Sequence, residues 1–379
     1  MSVFGSAYVP FDATEFCGSG TIGNAPRTSD AAKDIPRRIT IEAPMPTLGA
    51  NFEREIREQP SAWERLAHAD AAARLADALE GEIVLVGSGS SLFAAQVGAL
   101  ALRRRRVTAH AVAATEALGD NHAYQGRTVV AISQSGRSTD VLNAVEALRA
   151  KRIVALTNTA DSPLGDRADL TIDIGAGPEL AIPATKSVSC TVAILLSAAS
   201  LFGGDRTRSA GVLVDTARLI REWLEVSADA ELHGPAGEIA QRRDVVLLGT
   251  DYGVPVAREI ALKFKEATYL HAEGFEAGEF RHGSAAMVDS SAVAIGIMDT
   301  DAFEIVGRPL REVGKTGALR FAIGALTIDG VVRLGPVVQD PYNTLAWLVT
   351  GQMLTLLTAR ARGIESDAPR GLTKALVSE

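Results

Sequence analysis

The sequence has few cysteines and no long apolar segment. Only two of its 379 residues are cysteine, which is too few for a disulfide framework. Cys190 lies among small apolar residues and is expected to be a buried, unreactive thiol. No N-terminal stretch has the charged-then-apolar order of a signal peptide, and the longest apolar run, residues 191–202, is too short to span a bilayer. These absences predict a cytoplasmic location.

The sequence also lacks a basic excess and the usual cofactor motifs. Lysine and arginine number 38 against 46 acidic residues, a formal charge of −8, so a nucleic-acid partner is not expected. Histidine and cysteine never occur at metal-ligand spacing, and neither a Walker loop nor a complete dinucleotide fingerprint is present. We therefore expect no metal and no organic cofactor, and a phosphate must be held locally by loops and helix N-termini.

Buried β-branched segments alternate with helical segments along most of the chain. This alternation is typical of an α/β fold with doubly wound parallel sheets of the flavodoxin type, flanked by helices. A strand–glycine loop–helix unit begins at Gly87 and again at Gly249, which indicates a duplicated domain. We predict a flexible leader over residues 1–40, a first domain over 41–225 and a second domain over 226–379.

The second half also contains two long helical patterns. One is predicted over residues 256–270, and the other, over 345–362, is predicted to be amphipathic. The predicted strands of the whole chain are 83–86, 107–112, 128–132, 153–156, 170–174, 245–248, 293–297, 321–323 and 331–334.

Two hydroxyl-rich loops follow predicted strands. They are Gly87-Ser88-Gly89-Ser90-Ser91 and Ser133-Gln134-Ser135-Gly136-Arg137-Ser138. Open α/β sheets bind ligands at the carboxyl ends of their strands, and hydroxyls beside a helix N-terminus suit a phosphate dianion. The alternative is a pair of ordinary turns and N-caps without a ligand, but two such loops in one domain favour a phosphate site.

Charged residues recur on the predicted helix 256–270. Glu259, Lys263 and Glu266 fall at i, i+4 and i+7 and so share one face. They form either a solvated face with ordinary ion pairs or a site in which the lysine tunes a carboxylate. Glu179 and Lys186 leave a similar choice between ligand-facing groups and a surface ion pair.

The sequence alone does not decide the roles of two further residues. His282, between an arginine and a glycine, is either an acid–base group titrating near neutrality or an idle surface side chain. Lys374 lies in the C-terminal tail, where lysines usually serve solubility.

These segments, in this order, resemble the isomerase half of glucosamine-6-phosphate synthase and the sugar-isomerase (SIS) type glucosamine-6-phosphate deaminases. The resemblance runs from about Met45 to Glu379. It is carried by Glu55-Ile-Arg-Glu-Gln-Pro60, Gly89-Ser-Ser91, Ile132-Ser-Gln-Ser-Gly136, Ala176-Gly-Pro-Glu179, Ala184-Thr-Lys186, Ala261-Leu-Lys-Phe-Lys-Glu266, Ala272-Glu273, Gly278-Glu-Phe-Arg-His-Gly283, Pro369-Arg370 and Lys374.

The resemblance implies two SIS domains and a role for each site residue. Glu266 would move a proton between C1 and C2 of the sugar, and Lys263 would support that carboxylate. His282 would assist ring opening from a neighbouring subunit, which implies a homodimer with the site at the interface, and Lys374 would sit over the sugar carbonyl. The implied substrate-binding set is Ser90, Ser91, Ser133, Gln134, Ser135, Ser138 and Ala184.

The expected reaction is that of a deaminase, from glucosamine 6-phosphate and water to fructose 6-phosphate and ammonia. The synthase begins with a cysteine nucleophile and a glutaminase domain, whereas here residue 2 is Ser2, the leader is short, and Cys17 is no substitute. An aldose–ketose isomerase, or the isomerase subunit of a glutamine–fructose-6-phosphate aminotransferase, is the alternative. A non-catalytic sugar-phosphate sensor is the second alternative, against which the joint presence of the acid–base residues argues.

Overall fold

The computed structural model describes residues 47–202, 206–299, 303–325 and 328–374, without the side chains of 206–208. The leader predicted over 1–40, with Ser2 and Cys17, lies outside these ranges. The described chain contains two five-stranded sheets.

The first sheet has the strand order β2-β1-β3-β4-β5, and every pair in it is parallel. Both faces of β1 and β3 are buried because helices cover each side, which explains their uninterrupted apolar sequences. The elements of this half are α1 Ala50–His68, α2 Ala71–Ala78, β1 Ile83–Gly87, α3 Ser90–Arg104, β2 Ala109–Ala113, α4 Ala114–Gly119, β3 Thr128–Ile132, α5 Thr139–Ala147, β4 Arg152–Thr157, α6 Pro163–Arg167, β5 Leu170–Asp173 and α7 Lys186–Leu201.

The second sheet has the order β10-β9-β8-β6-β7, again with parallel pairs only. Numbered from β6, this is the strand order of the first sheet, so the predicted α/β class with two doubly wound parallel sheets is confirmed. The elements are α8 Arg206–Val226, α9 Ala228–Ala240, β6 Asp244–Gly249, α10 Gly253–Thr268, β7 His271–Glu276, α11 Ala277–Phe280, β8 Ala292–Met298, α12 Phe303–Gly314, β9 Leu319–Gly324, β10 Val332–Leu334 and α13 Asn343–Ala361.

Two features of the second half differ from the sequence prediction. The edge strand β7 was not predicted, because its sequence His-Ala-Glu-Gly-Phe-Glu has charged and half-exposed positions instead of an apolar run. The prediction that α13 is amphipathic was wrong: residues 343–359 are all buried, since this helix packs against α9, α10 and α1. A helix buried all round has no polar face to display.

The two halves meet where α3 packs against α10. α3 starts at the carboxyl end of β1, and α10 starts at the carboxyl end of β6 and runs back along its sheet. The start of α3 therefore faces residues of α10. In the described chain, no helix is both long and apolar enough to cross a membrane.

Candidate active site

The two hydroxyl-rich loops lie at the carboxyl ends of β1 and β3, which are neighbours in the sheet. Gly89 has φ 55° and Gly136 has φ 62°, both in the left-handed region that favours glycine. A Cβ on Gly136 would also lie 2.6 Å from the Ser162 Cβ atom. Ser133 is buried, and the Ser135 hydroxyl accepts a 3.2 Å hydrogen bond from the Arg137 N–H. The loops therefore form one polar edge, which also includes Ser91, Gln134 and Ser138.

The charged residues of α10 form a buried cluster. Lys263 Nζ lies 2.6 Å from Glu266 Oε2 and 3.4 Å from Glu259 Oε1. The side chains of Lys263 and Glu259 are each 1% exposed, and that of Glu266 is 18% exposed. The interpretation as a solvated face was therefore wrong, because α3 and α13 cover this side of the helix.

Burial and charge act in opposite directions on this cluster. Burial raises the pKa of Glu259 to about 7, against the opposing effect of the Lys263 charge. Burial by itself would lower the pKa of Lys263, but the carboxylates of Glu259 and Glu266 outweigh it and the pKa is raised. The lysine thus stays charged, and Glu259 changes protonation near neutral pH.

The first loop is hydrogen-bonded to this cluster. Ser90 Oγ donates to Glu259 Oε1 at 3.0 Å and accepts from Lys263 Nζ at 3.2 Å. Leu262 of the same helix lies next to Gly89, at 3.9 Å from the position of a Cβ there. The polar edge of the first sheet and the charged helix of the second half therefore make up a single site.

The C-terminal tail brings a second cation to a buried carboxylate. Glu179 accepts hydrogen bonds from the Thr185 N–H at 2.9 Å, the Ser187 N–H at 3.1 Å and the Ser187 hydroxyl at 2.8 Å. Lys374 Nζ lies 3.0 Å from Glu179 Oε2 and donates to the Ala181 carbonyl. Burial opposes ionisation of Glu179, yet the Lys374 charge and these donors hold its pKa below the usual value.

The Glu179 cluster belongs to the same site as α10. The charge of Glu179 contributes to the raised pKa of Lys263, so the two groups interact electrostatically. Ala184 lies half-buried on the loop between Glu179 and Thr185. Glu179 does not pair with Lys186, whose Nζ instead contacts Glu58 at 2.5 Å.

The tail reaches Glu179 because three contacts hold it. The Asp367 carboxylate accepts the N–H groups of Asn51 and Phe52 at 2.9 and 2.8 Å, at the start of α1. The Arg370 guanidinium lies 4.2 Å from the centre of the Tyr269 ring, and the Arg370 N–H donates to the Tyr269 hydroxyl at 2.9 Å. Tyr269 directly follows α10, so the helix that carries Glu266 also positions the tail.

His282 lies away from this cluster. It is exposed in the loop after α11, beyond the carboxyl end of β7. Phe280 of α11 packs with α12 residues, and Arg281 Nε lies 3.2 Å from Glu312 Oε2 of α12. α10 packs on the other face of the sheet, in the core shared with the first half. His282 and Glu266 of one chain are therefore separated by the sheet.

Comparisons with known proteins agree with this architecture. The family model described as the SIS domain matches residues 78–201 and 238–316, more than half of the chain. The chain belongs to the SIS-domain family.

The SIS chain is also similar to longer proteins. The glutamine–fructose-6-phosphate aminotransferase [isomerizing] of Pyrobaculum aerophilum is 32% identical over 338 residues, covering 85% of this chain and 54% of that protein. The chain thus spans about half the length of the curated relatives it matches.

Two solved structures have the same fold as this SIS chain. The C-terminal domain of glucosamine-fructose-6-phosphate aminotransferase from Francisella tularensis has a TM-score of 0.76 at 23% identity, covering 84% of this chain and 98% of that one. Glucosamine-6-phosphate deaminase from Thermotoga maritima has a TM-score of 0.71 at 23% identity, covering 87% and 100%.

Sequence reasoning assigned no role to two carboxylates of this SIS site. Glu259 accepts a hydrogen bond from Ser90 and forms an ion pair with Lys263. Its position four residues before the lysine was the sequence feature that could have indicated this pairing. Glu55 is buried and accepts the N–H groups of Leu180 and Ala181, which fixes the loop after Glu179. No spacing rule predicts that second contact, because 125 residues separate Glu55 from Leu180.

The described part of the site combines carboxylates with two cations. Glu266 is a partly accessible carboxylate beside a fixed ammonium group, and Lys374 supplies a second amine. Across the described ranges, no group of three or more His, Cys, Asp or Glu side chains could hold a metal ion. Such a set suits proton transfer and the stabilisation of oxyanion charge.

Proposed function

We propose that this chain is an enzyme that converts glucosamine 6-phosphate and water into fructose 6-phosphate and ammonia. The observation that carries the proposal is the position of Glu266. It is the most accessible member of the α10 cluster, and Lys263 links that cluster to Ser90 of the first loop. A carboxylate held beside a phosphate-binding edge can remove a proton from one sugar carbon and return it to the next.

The serine loops would provide the anchor for the substrate. Hydroxyls of Ser90, Ser91, Ser133, Ser135 and Ser138, with the Gln134 amide, would bind the phosphate and orient the sugar beside Ala184. Anchoring the phosphate away from the reacting carbons reduces the entropic barrier to alignment. The net charge of −8 is compatible with this, because the phosphate is held by local dipoles and not by the overall field.

The two lysines would have different roles. Lys263 fixes the orientation of the Glu266 carboxylate through their 2.6 Å contact. Lys374 would lie over the carbonyl end of the sugar, where its ammonium group stabilises negative charge on the C1 and C2 oxygens during proton transfer. Its contacts with Glu179 and the Ala181 carbonyl are the resting arrangement from which it turns to the substrate.

His282 would act in the site of a second copy of this chain. The second sheet separates His282 from Glu266 of its own chain, and α10 alone extends about 20 Å from its first residue to Glu266. A histidine that assists ring opening must lie within hydrogen-bond reach of the sugar. We therefore propose a homodimer in which each site includes the partner's loop after α11.

The second candidate is an isomerase or the isomerase part of an aminotransferase. The 32% identity to a glutamine–fructose-6-phosphate aminotransferase favours it. The proton transfer between C1 and C2 is common to both candidates, so the fate of the amino group distinguishes them.

The test is incubation with glucosamine 6-phosphate while ammonia and fructose 6-phosphate are measured together. Equal release of both is the expected result. Glu266→Gln should lower the rate by about 10²–10⁴-fold while calorimetric binding of fructose 6-phosphate persists. Glu238→Gln, at an exposed position of α9, is the matched control and should retain full activity.

The other outcomes identify the alternatives. Interconversion of hexose 6-phosphates without ammonia release supports the isomerase. Binding without turnover of any hexose or hexosamine phosphate supports the sensor. Wild-type turnover by Glu266→Gln refutes the role given to this carboxylate.

A further inference from the structure

Glu55 of α1 is a buried carboxylate to which the proposed reaction assigns no part. It is fully buried, and its oxygens accept the N–H groups of Leu180 and Ala181, the latter at 3.3 Å. Lys374 donates to the Ala181 carbonyl and pairs with Glu179 at 3.0 Å. This short segment of the loop is therefore held by Glu55 through its N–H groups and by Lys374 through a carbonyl.

Two buried carboxylates thus share one ammonium group. The side chain of Glu179 is 0% exposed, and that of Lys374 is 28% exposed. Burial raises the pKa of Glu55 against the opposing effect of the Leu180 N–H. The charge of Glu179 raises this pKa further, whereas the charge of Lys374 lowers it. The two carboxylates therefore repel each other, and the lysine compensates for that repulsion.

The other charged groups around α1 have partners of their own. Arg54 Nη2 lies 3.9 Å from Glu55 Oε1, but its side chain is 51% exposed, so solvent screens its charge. Each helix packed against α1 contributes a cation that pairs with a different carboxylate of α1, namely Lys186 of α7 with Glu58, Arg221 of α8 with Glu64 and Arg360 of α13 with Glu53. Lys263 of α10 interacts with Glu179 but is paired with Glu259 and Glu266.

The balance changes when Lys374 turns from Glu179 to the sugar carbonyl, as in the proposed function. Glu179 then keeps the N–H groups of Thr185 and Ser187 and the Ser187 hydroxyl, which stabilise its charge. Glu55 keeps two backbone N–H groups, fewer donors than Glu179 has. An ionised carboxylate that is buried without a neighbouring cation is unfavourable. Glu55 is therefore the member of the pair that becomes neutral.

We propose that Glu55 takes up a proton from solvent when Lys374 turns to the sugar, so that substrate binding is coupled to proton uptake. The coupling rests on the proposed function, because it requires the lysine to leave Glu179 for the substrate. A protonated Glu55 still has a carbonyl oxygen that accepts an N–H group, so the loop segment stays in place. Glu55 acts on the sugar through Lys374 and is a positioning residue.

The test is calorimetry of fructose 6-phosphate binding to the whole chain at pH 6, 7 and 8. The slope of the heat against the ionisation enthalpy of the buffer gives the number of protons taken up on binding. The wild type should take up more protons than Glu55→Gln, by up to about one proton per site, because glutamine already represents the neutral acid. Protons exchanged by the phosphate of the ligand are common to both proteins and cancel from the comparison.

Two further variants make the comparison specific. Glu58→Gln changes a carboxylate of α1 that is 45% exposed and paired with Lys186, so it should keep the proton number of the wild type. Lys374→Met removes the cation from the free and the bound state alike, so it should lose the extra proton as Glu55→Gln does. Because Lys374 lies partly exposed on the tail, this variant tests the coupling even where Glu55→Gln fails to fold.

Equal proton numbers for the wild type, Glu55→Gln and Lys374→Met would overturn the inference, and so would the absence of fructose 6-phosphate binding. A proton number lowered by Lys374→Met alone assigns the proton to another group and refutes the role of Glu55. Ammonia release from glucosamine 6-phosphate is measured separately. Ammonia without the extra proton refutes the coupling alone, whereas the extra proton without ammonia refutes the deaminase reaction alone.

Discussion

Replacing Lys263 by methionine isolates the charge that holds the α10 cluster together. Methionine has a similar length and adapts to irregular spaces, so the main change is the loss of an ammonium group 2.6 Å from Glu266 and 3.4 Å from Glu259. Removing one partner of a buried ion pair destabilises a protein by about 3–5 kcal/mol. Protonation of Glu259 offsets part of this, because burial already raises its pKa to about 7.

The measurement is urea unfolding followed by circular dichroism at pH 6 and pH 8. The loss of unfolding free energy in Lys263→Met, relative to the wild type, should be larger at pH 8, where Glu259 is more fully ionised. Lys265→Met is the matched control, since Lys265 is exposed two residues further along the same helix. It should change the free energy of unfolding by less than about 0.5 kcal/mol.

A double variant separates charge from packing. Glu259→Gln combined with Lys263→Met leaves one uncompensated carboxylate instead of two. The double variant should therefore have a free energy of unfolding at least about 1 kcal/mol higher than that of Lys263→Met. A packing defect at the methionine would leave the double variant as unstable as the single one. If Lys263→Met and Lys265→Met unfold alike, or if the deficit does not depend on pH, the buried charge cluster does not exist as described.

Three further predictions concern individual groups. The pKa of Glu259 is raised from 4.5 to about 7, so its contribution to stability is complete below pH 4.5 and is lost as pH rises through 7. Glu259→Gln should therefore flatten the dependence of unfolding free energy on pH across this interval. A slope equal to that of the wild type would contradict this prediction. Asp367→Ala removes the acceptor for two N–H groups at the start of α1. It should cost about 0.5–2 kcal/mol in thermal unfolding and speed tryptic cleavage after Arg370, whereas unchanged cleavage would mean that Asp367 does not hold the tail. Cys190 is fully buried and its thiol pKa is raised by burial, so mass spectrometry should find it alkylated only after unfolding, and labelling of the native protein would refute its burial.

The sequence was most informative where a local pattern determines the structure. β1 and β3 could be predicted because both faces are covered, which leaves uninterrupted apolar runs. β7 was not predicted because an edge strand tolerates charged residues, here His271, Glu273 and Glu276, at its more exposed positions. Helical spacing placed Glu259, Lys263 and Glu266 on one face, but only the packing of α3 and α13 decides that this face is buried.

Contacts between distant parts of the chain could not be predicted. Lys374 and Glu179 are 195 residues apart, and their pairing depends on how Asp367 and Tyr269 hold the tail. The order of motifs indicated that these residues belong together, yet it gave no reason for the lysine to rest on that carboxylate. The physical reason is that Glu179, sealed among Thr185 and Ser187, requires a cation close to it.

The site depends on both halves of the duplicated fold. Ser90 comes from the first sheet, while Glu259 and Lys263 come from a helix of the second, and the 3.0 and 3.2 Å hydrogen bonds between them cross the boundary. The tail then returns from the second half to Glu179 in the first. The first half alone would leave the buried Glu179 carboxylate without Lys374, and the second half alone would lose the Ser90 hydroxyl that bonds to Glu259 and Lys263. The duplication therefore contributes two different faces to one site, because α10 carries Glu259, Lys263 and Glu266 whereas α3 begins with the hydroxyls of Ser90 and Ser91.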